Sequence, residues 1–529
     1  MKTFIILNRA IWMVTFASIG LVFSVQADIG LPSQAIKAPP TIIYQAAKGQ
    51  SLAETMTQIA QRSGITFKLN TDLSQEIVQE NIAANNWDYA ISRLLVNYNF
   101  TTIQNNNSIK TVIITGHRHD GAQSGNTAII SPQANGLPAK YFGFPAGSVI
   151  PIKMPVNDLM ALNNNETIKL KLPMGQFNVM HDNTINQTDG SRTWVGHLAD
   201  QGQGYRVFIS QGAAGIMGII TTPDGTYTVE QVNGTIYLIN TSQLNHAGFN
   251  GDQVANITQE MQEAIASKTA QYSSNQTTTH TLSTPIVDLM VVYTTTKQTA
   301  DYAKQRISFL VTVSNQAYVD SQMNMKLRLV HTEPTAYAEN NSNAQALFDL
   351  ANDKLNFAGM SQKRRQYGAD LVFLFRPLYA KTAGSCGTTY VEMADGNAPE
   401  VWLGYGTIGD GNSVDELTGY YCGGNTFTHE IGHSLGLVHD REYSPDGYGA
   451  TPYSYAWGIE ELFATIMSYK QPVLMYFSTP LLATQCNGLP CGYPDTDLAR
   501  SSDQTKVVNA TAPVIAGFMP ETVAVPILQ

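Results

Sequence analysis

Three hydrophobic periodicities follow one another along the chain. In 41–116, Ser51-Leu52-Ala53-Glu54 forms a capping box, the serine capping a helix and the glutamate reaching back. Leu52, Met56, Ile59 and Ala60 recur at helical spacing until Gly64 stops the helix. Trp87, Ile91, Leu94 and Leu95 share one face of a second helix, and 101–103, the Asn105-Asn106-Asn107 turn and 109–114 read as a hairpin. This pattern predicts a small two-helix α+β module. Residues 117–140, rich in Gly, Ser, Asn and Pro, read as a linker. Period-2 alternation then takes over at Ile168-Lys169-Leu170-Lys171-Leu172, followed by short strands near 193–196, 205–209, 216–220, 227–229 and 235–239. Pro223-Asp224-Gly225 and Asn233-Gly234 supply hairpin turns. After Gln243 the chain is polar and Thr-rich, and it loses periodicity beyond Lys268. Residues 141–280 therefore read as a β-rich region ending in a protease-accessible connector.

From Ile286 the pattern alternates between strand and helix. A buried strand at 286–293 precedes a helix at 297–321, a strand at 326–330 and a helix at 344–357. Ala369-Asp370-Leu371-Val372-Phe373-Leu374-Phe375 is a nearly continuous apolar strand, as in a sheet buried on both faces.

Composition narrows the function. The chain has 529 residues, enough for several domains. Lys and Arg number 31 against 41 Asp and Glu, a net charge of −10, which argues against a primary role on nucleic acid. Charged residues are only 14%, as suits a secreted protein with neutral polar surfaces. Lys2 and Arg9 precede an apolar run, and Val25-Gln26-Ala27 offers small residues at a cleavage site before Asp28. Residues 1–27 thus read as a secretory signal, with no stable membrane insertion once it is cut. The four cysteines allow three pairings. Cys486 and Cys491 enclose a tight turn and pair locally, which leaves Cys386 for Cys422.

The decisive segment is His429-Glu430-Ile431-Gly432-His433-Ser434-Leu435-Gly436-Leu437-Val438-His439-Asp440. Positions i and i+4 lie on one helix face, so His429 and His433 can grip one ion. Gly436 can take positive φ and turn the chain, returning His439 as a third imidazole. Three neutral nitrogen ligands leave the open fourth position that a catalytic zinc needs. Glu430 stands where a general base can take a proton from a water and pass it to a leaving amine. Thr465-Ile466-Met467-Ser468-Tyr469 follows, and in the family that this extended motif resembles such a methionine forms a floor beneath the imidazoles.

With these motifs, 285–520 resembles the metzincin zinc metallopeptidases. It is similar to their reprolysin-like bacterial branch, near the peptidyl-Asp metallopeptidases, in the His439-Asp440 ending, in Gly368-Ala369-Asp370-Leu371-Val372, in Cys386-Gly387 and in Tyr476-Phe477-Ser478-Thr479-Pro480. The resemblance implies an α/β metzincin-type domain, a mixed twisted sheet plus helices with a Met-turn, acting as a zinc endopeptidase on protein substrates and made as a zymogen. In that frame 141–280 becomes the pro-region and its connector. Tyr469 resembles the astacin and serralysin tyrosine that can ligate zinc and swing to the oxyanion. No cysteine precedes Cys386, so a thiolate latch is excluded; His181-Asp182, read as a loop dipeptide, is a conceivable substitute. Asp440 reads as a structural acceptor. Asp410, Asp415 and Glu416 are candidate calcium carboxylates without a recognised calcium-loop spacing. His246, His280 and His331 receive no function. The 41–116 module resembles the STN fold of secretins and TonB-dependent receptors. That implies export through a Gram-negative periplasm and a possible envelope partner, and it leaves an interaction protein as the rival reading.

Overall fold

The computed structural model describes residues 44–117, 137–246, 284–379, 385–412 and 420–522, apart from short breaks within them. The expected signal 1–27, most of the linker and nearly all of the connector lie outside these residues. The chain divides into two compact units, parted after Ala122.

In the first unit, Leu52–Ser63 is a helix capped by the Ser51 side chain, which accepts the Glu54 amide, and it ends at Gly64 in the left-handed conformation. A second helix, Trp87–Leu94, buries Ile91 and Leu94. The hairpin Tyr98–Asn105 with Ser108–His117 adds Thr66–Leu69 to make three strands.

The second unit begins with an eight-stranded antiparallel sheet. Seven strands run as a meander from Thr167–Leu172 to Thr235–Asn240, and the earlier strand Val149–Ile152 pairs on the far side of the last. Asn233 and Gly234 both take positive φ, as a tight hairpin between twisted strands requires. The domain starts before 141: Ala139–Tyr141 is a 3-10 turn whose buried Tyr141 donates its hydroxyl to Glu230 at 2.7 Å. The periodicity also passed over Gly175–Asn186, where a register shift between His181 and Asn183 breaks the alternation.

The second sheet of this unit is mixed. In order it runs Asn245–His246, Tyr420–Cys422, Tyr405–Asn412, Leu371–Pro377, Ile286–Thr294 and Lys326–Thr335, with Gly387–Thr389 antiparallel to Tyr405–Asn412. Its first strand comes from the end of the antiparallel domain, so a segment of that domain pairs by its backbone into the mixed sheet.

Helix Ala300–Asp320 lies in a core shared by both sheets. That is why it is buried on nearly all sides instead of showing one apolar stripe. Phe208, Met217 and Ile219 of the antiparallel sheet join Phe309 and Leu310 of this helix in one core. Burial of each such side chain stabilises by about 1.5–3 kcal/mol. Across the same contact, Arg206 and Asp320 form an ion pair with both side chains 1% exposed.

Candidate metal centre

The motif occupies helix Asn425–Ser434, which is buried almost throughout. Its neighbours hold it by specific bonds. The Thr428 hydroxyl shares a 2.8 Å hydrogen bond with Ser314, and Thr511 donates to the Leu435 carbonyl at 2.8 Å, satisfying one of the orphan acceptors of the helix end. Gly436 has φ +85°, and a Cβ there would lie 2.7 Å from Ala450 Cβ, so both conformation and space require glycine at the turn.

That turn brings the three histidines together. His429, His433 and His439 are 6%, 1% and 2% exposed, and their ligand atoms all lie within 4.8 Å of one another. Nδ1 of His429 faces the Ile466 carbonyl and Nδ1 of His433 the Leu437 carbonyl, each at 2.9 Å. A carbonyl only accepts, so both Nδ1 atoms carry the proton and both Nε2 atoms present a lone pair. Nε2 of His429 and of His439 are 3.1 Å apart, near the roughly 3.3 Å expected of two nitrogens on one tetrahedral zinc. Nε2 of His433 is buried without a hydrogen-bond partner among the described residues. Burial pushes His429 down to about 4 and His433 down to about 3, and it lowers His439 as well, so all three are neutral at pH 7. A buried, neutral, convergent nitrogen set with an orphaned lone pair fits a zinc ion.

Glu430 is fully buried beside this set, and Thr389 Oγ1 donates to its Oε2 at 2.6 Å. Met467 is fully buried under the helix, where a Cβ on Gly432 would come 2.4 Å from its sulfur. Asp440, 4% exposed, accepts the Tyr469 amide at 3.0 Å and so ties the motif's end to the segment carrying Met467. The Tyr469 ring lies 4.1 Å from that of His439 and 6.1 Å from that of His429, centre to centre.

Residues 279–495 match the model for metallopeptidase family M12B, reprolysin-like. The C-terminal region is reprolysin-like. The antiparallel region, 132–245, matches a BamI lipocalin-like domain. Among curated relatives, a peptidyl-Asp metalloendopeptidase of Pseudomonas aeruginosa is 32% identical over 45% of this chain and 41% of its own length. Another from Xanthomonas campestris is 30% identical over 40% of this chain and 46% of its own. The chain thus spans less than half the length of these two relatives. Among solved structures, metalloproteinase-II from Bacteroides fragilis is similar at TM-score 0.36 and 12% identity over 61% of this chain and 90% of that one. A chaperone-substrate complex is similar at TM-score 0.35 and 16% identity, over 58% of this chain and 44% of that one.

The reprolysin-like region contains both expected disulfides, Cys386–Cys422 and Cys486–Cys491. Asp410 is not available to calcium: Arg306 holds it in a buried pair at 2.8 Å, while Asp415 and Glu416 lie outside the described residues. His181 and Asp182 form part of a strand, not a loop. His181 stacks on Trp194 and meets Thr184 at 2.9 Å, and Asp182 is engaged by His197 and Arg206. His331 stacks on Tyr367, the His246 side chain is not described and His280 lies outside the described residues.

Three supporting roles escaped the sequence reading, although Cys386-Gly387 was noted there as a point of resemblance. Thr389 orients Glu430. Gly387 makes room for it, since a Cβ there would lie 2.3 Å from the Glu430 carboxyl. Gln504, the first residue of helix Gln504–Ile515, donates to the Val438 carbonyl at 3.2 Å beside His439. None carries a spacing signal, because each reaches the motif from a distant part of the chain.

Proposed function

We propose that the chain is a zinc endopeptidase that hydrolyses peptide bonds in proteins. The observation that carries this reading is the convergence of three buried neutral imidazoles beside a buried glutamate. His429, His433 and His439 would hold the ion. When bound, zinc lowers the pKa of a water and polarises the scissile carbonyl. Glu430, oriented by Thr389, takes the water's proton and delivers it to the leaving amine. Asp440 and Met467 keep the imidazoles in place, and the Tyr469 hydroxyl donates to the developing oxyanion. The names of the relatives extend the reading to a preference for bonds at aspartate.

Export as a precursor belongs to the same reading. The leader 1–27 is removed, processing falls in the connector 247–283, and the STN-like module acts at the envelope during export.

The test pairs the purified chain with its Glu430→Gln variant on a denatured protein mixture, with zinc quantified in both and cut sites mapped by mass spectrometry. Cleavage by the first alone, with near-stoichiometric zinc in both, is the expected result. Cut sites without aspartate would remove the proposed preference but not the activity. Absence of zinc from both after repletion would overturn the metal site itself.

A further inference from the structure

The pocket beside the histidines has walls from both sheets. His429, Ser468 and Tyr469 border it on one side, and Thr226, Thr241 and Ser242 of the antiparallel domain border it on another. This second wall is built. The Thr226 amide donates to Ser242 Oγ at 3.1 Å, and Thr241 Oγ1 donates to the Thr226 carbonyl at 2.7 Å. The wall is also anchored to the reprolysin-like region. Thr228 accepts the Tyr421 hydroxyl at 3.0 Å, and the next residue, Cys422, is bonded to Cys386, itself at the pocket. A Cβ on Gly424, at the start of the motif helix, would fall 2.3 Å from Ile219 Cδ1, so the two parts pack closely here and a larger residue would have to shift Ile219.

We propose that the antiparallel domain is a permanent wall of the substrate cleft, in which Thr226, Thr241 and Ser242 select the substrate side chain beside the metal, and not a pro-region that leaves on maturation. The inference rests on the peptidase reading above. The contact is more than two surfaces laid together. The antiparallel domain's strand Asn245–His246 completes the mixed sheet, and its Phe208 and Ile219 belong to the core of helix Ala300–Asp320. Its Arg206 pairs with Asp320, and its Ala214 amide donates to the Gln305 side-chain oxygen at 2.9 Å. Departure would unpair the edge strand and open the shared core to water. A cut in the connector therefore leaves the two parts associated. In the pocket, Ile466, Val473 and Met475 supply apolar lining, and the antiparallel domain adds hydroxyls. Hydroxyls both donate and accept, so this wall favours a substrate side chain that hydrogen-bonds over a long aliphatic one.

The test uses the full chain with a specific protease site inserted in 247–283. After the cut, the two fragments are expected to co-elute in size exclusion and to keep the cut-site profile of the intact chain. In the uncut chain, Ser242→Phe and Thr226→Phe are each expected to change relative kcat/KM by at least about tenfold among peptides differing at one substrate position, and to shift affinity for the matching peptide hydroxamates, with zinc content unchanged. Their far-ultraviolet circular dichroism checks that both variants fold. If the fragments separate and the 284–529 part alone retains the profile, or if neither variant moves profile or hydroxamate affinity, this inference is overturned while the peptidase reading stands. If no form binds zinc or cuts, the peptidase reading fails and takes this inference with it.

Discussion

Glycine at 387 is a residue whose importance is entirely one of missing volume. Its neighbour in space is the Glu430 carboxyl, so Gly387→Ala must displace the proposed base or the strand carrying it. A shift of about 1 Å in a catalytic group can cost on the order of a hundredfold in rate. Gly387→Ala is therefore expected to lower kcat/KM by about that factor while zinc, measured by elemental analysis, stays bound. Asp370 makes a different point about burial. Its carboxyl is 1% exposed and accepts the amides of Asp288 and Met519, at 2.8 and 3.0 Å. Desolvation nonetheless outweighs these bonds and pushes it up to about 8. The folded chain then holds a proton that the unfolded chain releases near pH 4. Stability from this group is full below pH 4 and declines as pH rises toward about 8. In urea titrations across that range, Asp370→Asn is expected to flatten the decline.

At the scale of elements, the helix Ala300–Asp320 joins the two sheets, and the Arg206–Asp320 pair is an ion pair buried in that contact. A buried pair need not stabilise relative to apolar residues, but removing one partner strands the other. Arg206→Met is expected to cost about 3–5 kcal/mol, read from the urea midpoint, and to weaken the antiparallel domain and the reprolysin-like region together. The motif helix depends on its surroundings in the same way. Ser314, Thr511 and the segment around Ile466 each supply a bond that its own sequence does not contain.

For the whole molecule, the division into two units predicts two unfolding transitions. Residues 44–117 have their own core, whereas 137–246 and 284–522 share one. Calorimetry is expected to show a small transition for the first unit and one larger transition for the second. A chelator should lower the larger by several degrees and leave the smaller unchanged, because a metal stabilises only the unit that binds it. Three transitions would show that the antiparallel and reprolysin-like parts unfold independently. Among the described residues no helix is long and apolar enough to cross a membrane.

Much of this was legible in the sequence because local patterns encode it. The capping box at Ser51 and the stop at Gly64 mark a helix through chemistry contained in fourteen consecutive residues, and the structure caps it at those two positions. The three-histidine motif is legible just as locally: the i, i+4 spacing and one glycine are enough to point the three imidazoles at one place, although distant residues hold the helix that carries them. Where period 2 was unbroken, as at 167–172, the strand was evident; the bulge at His181 hid its neighbour. Other features have no local signature. Gly387 and Thr389 reach Glu430 across 43 and 41 positions of chain, and Arg206 reaches Asp320 across 114. A contact of this kind is specified by how whole sheets pack, so no window of sequence contains it. Alternation within 141–280 announced strands; only the tertiary structure placed them against the helix beside the three histidines, because burying the apolar faces of both sheets requires one shared core.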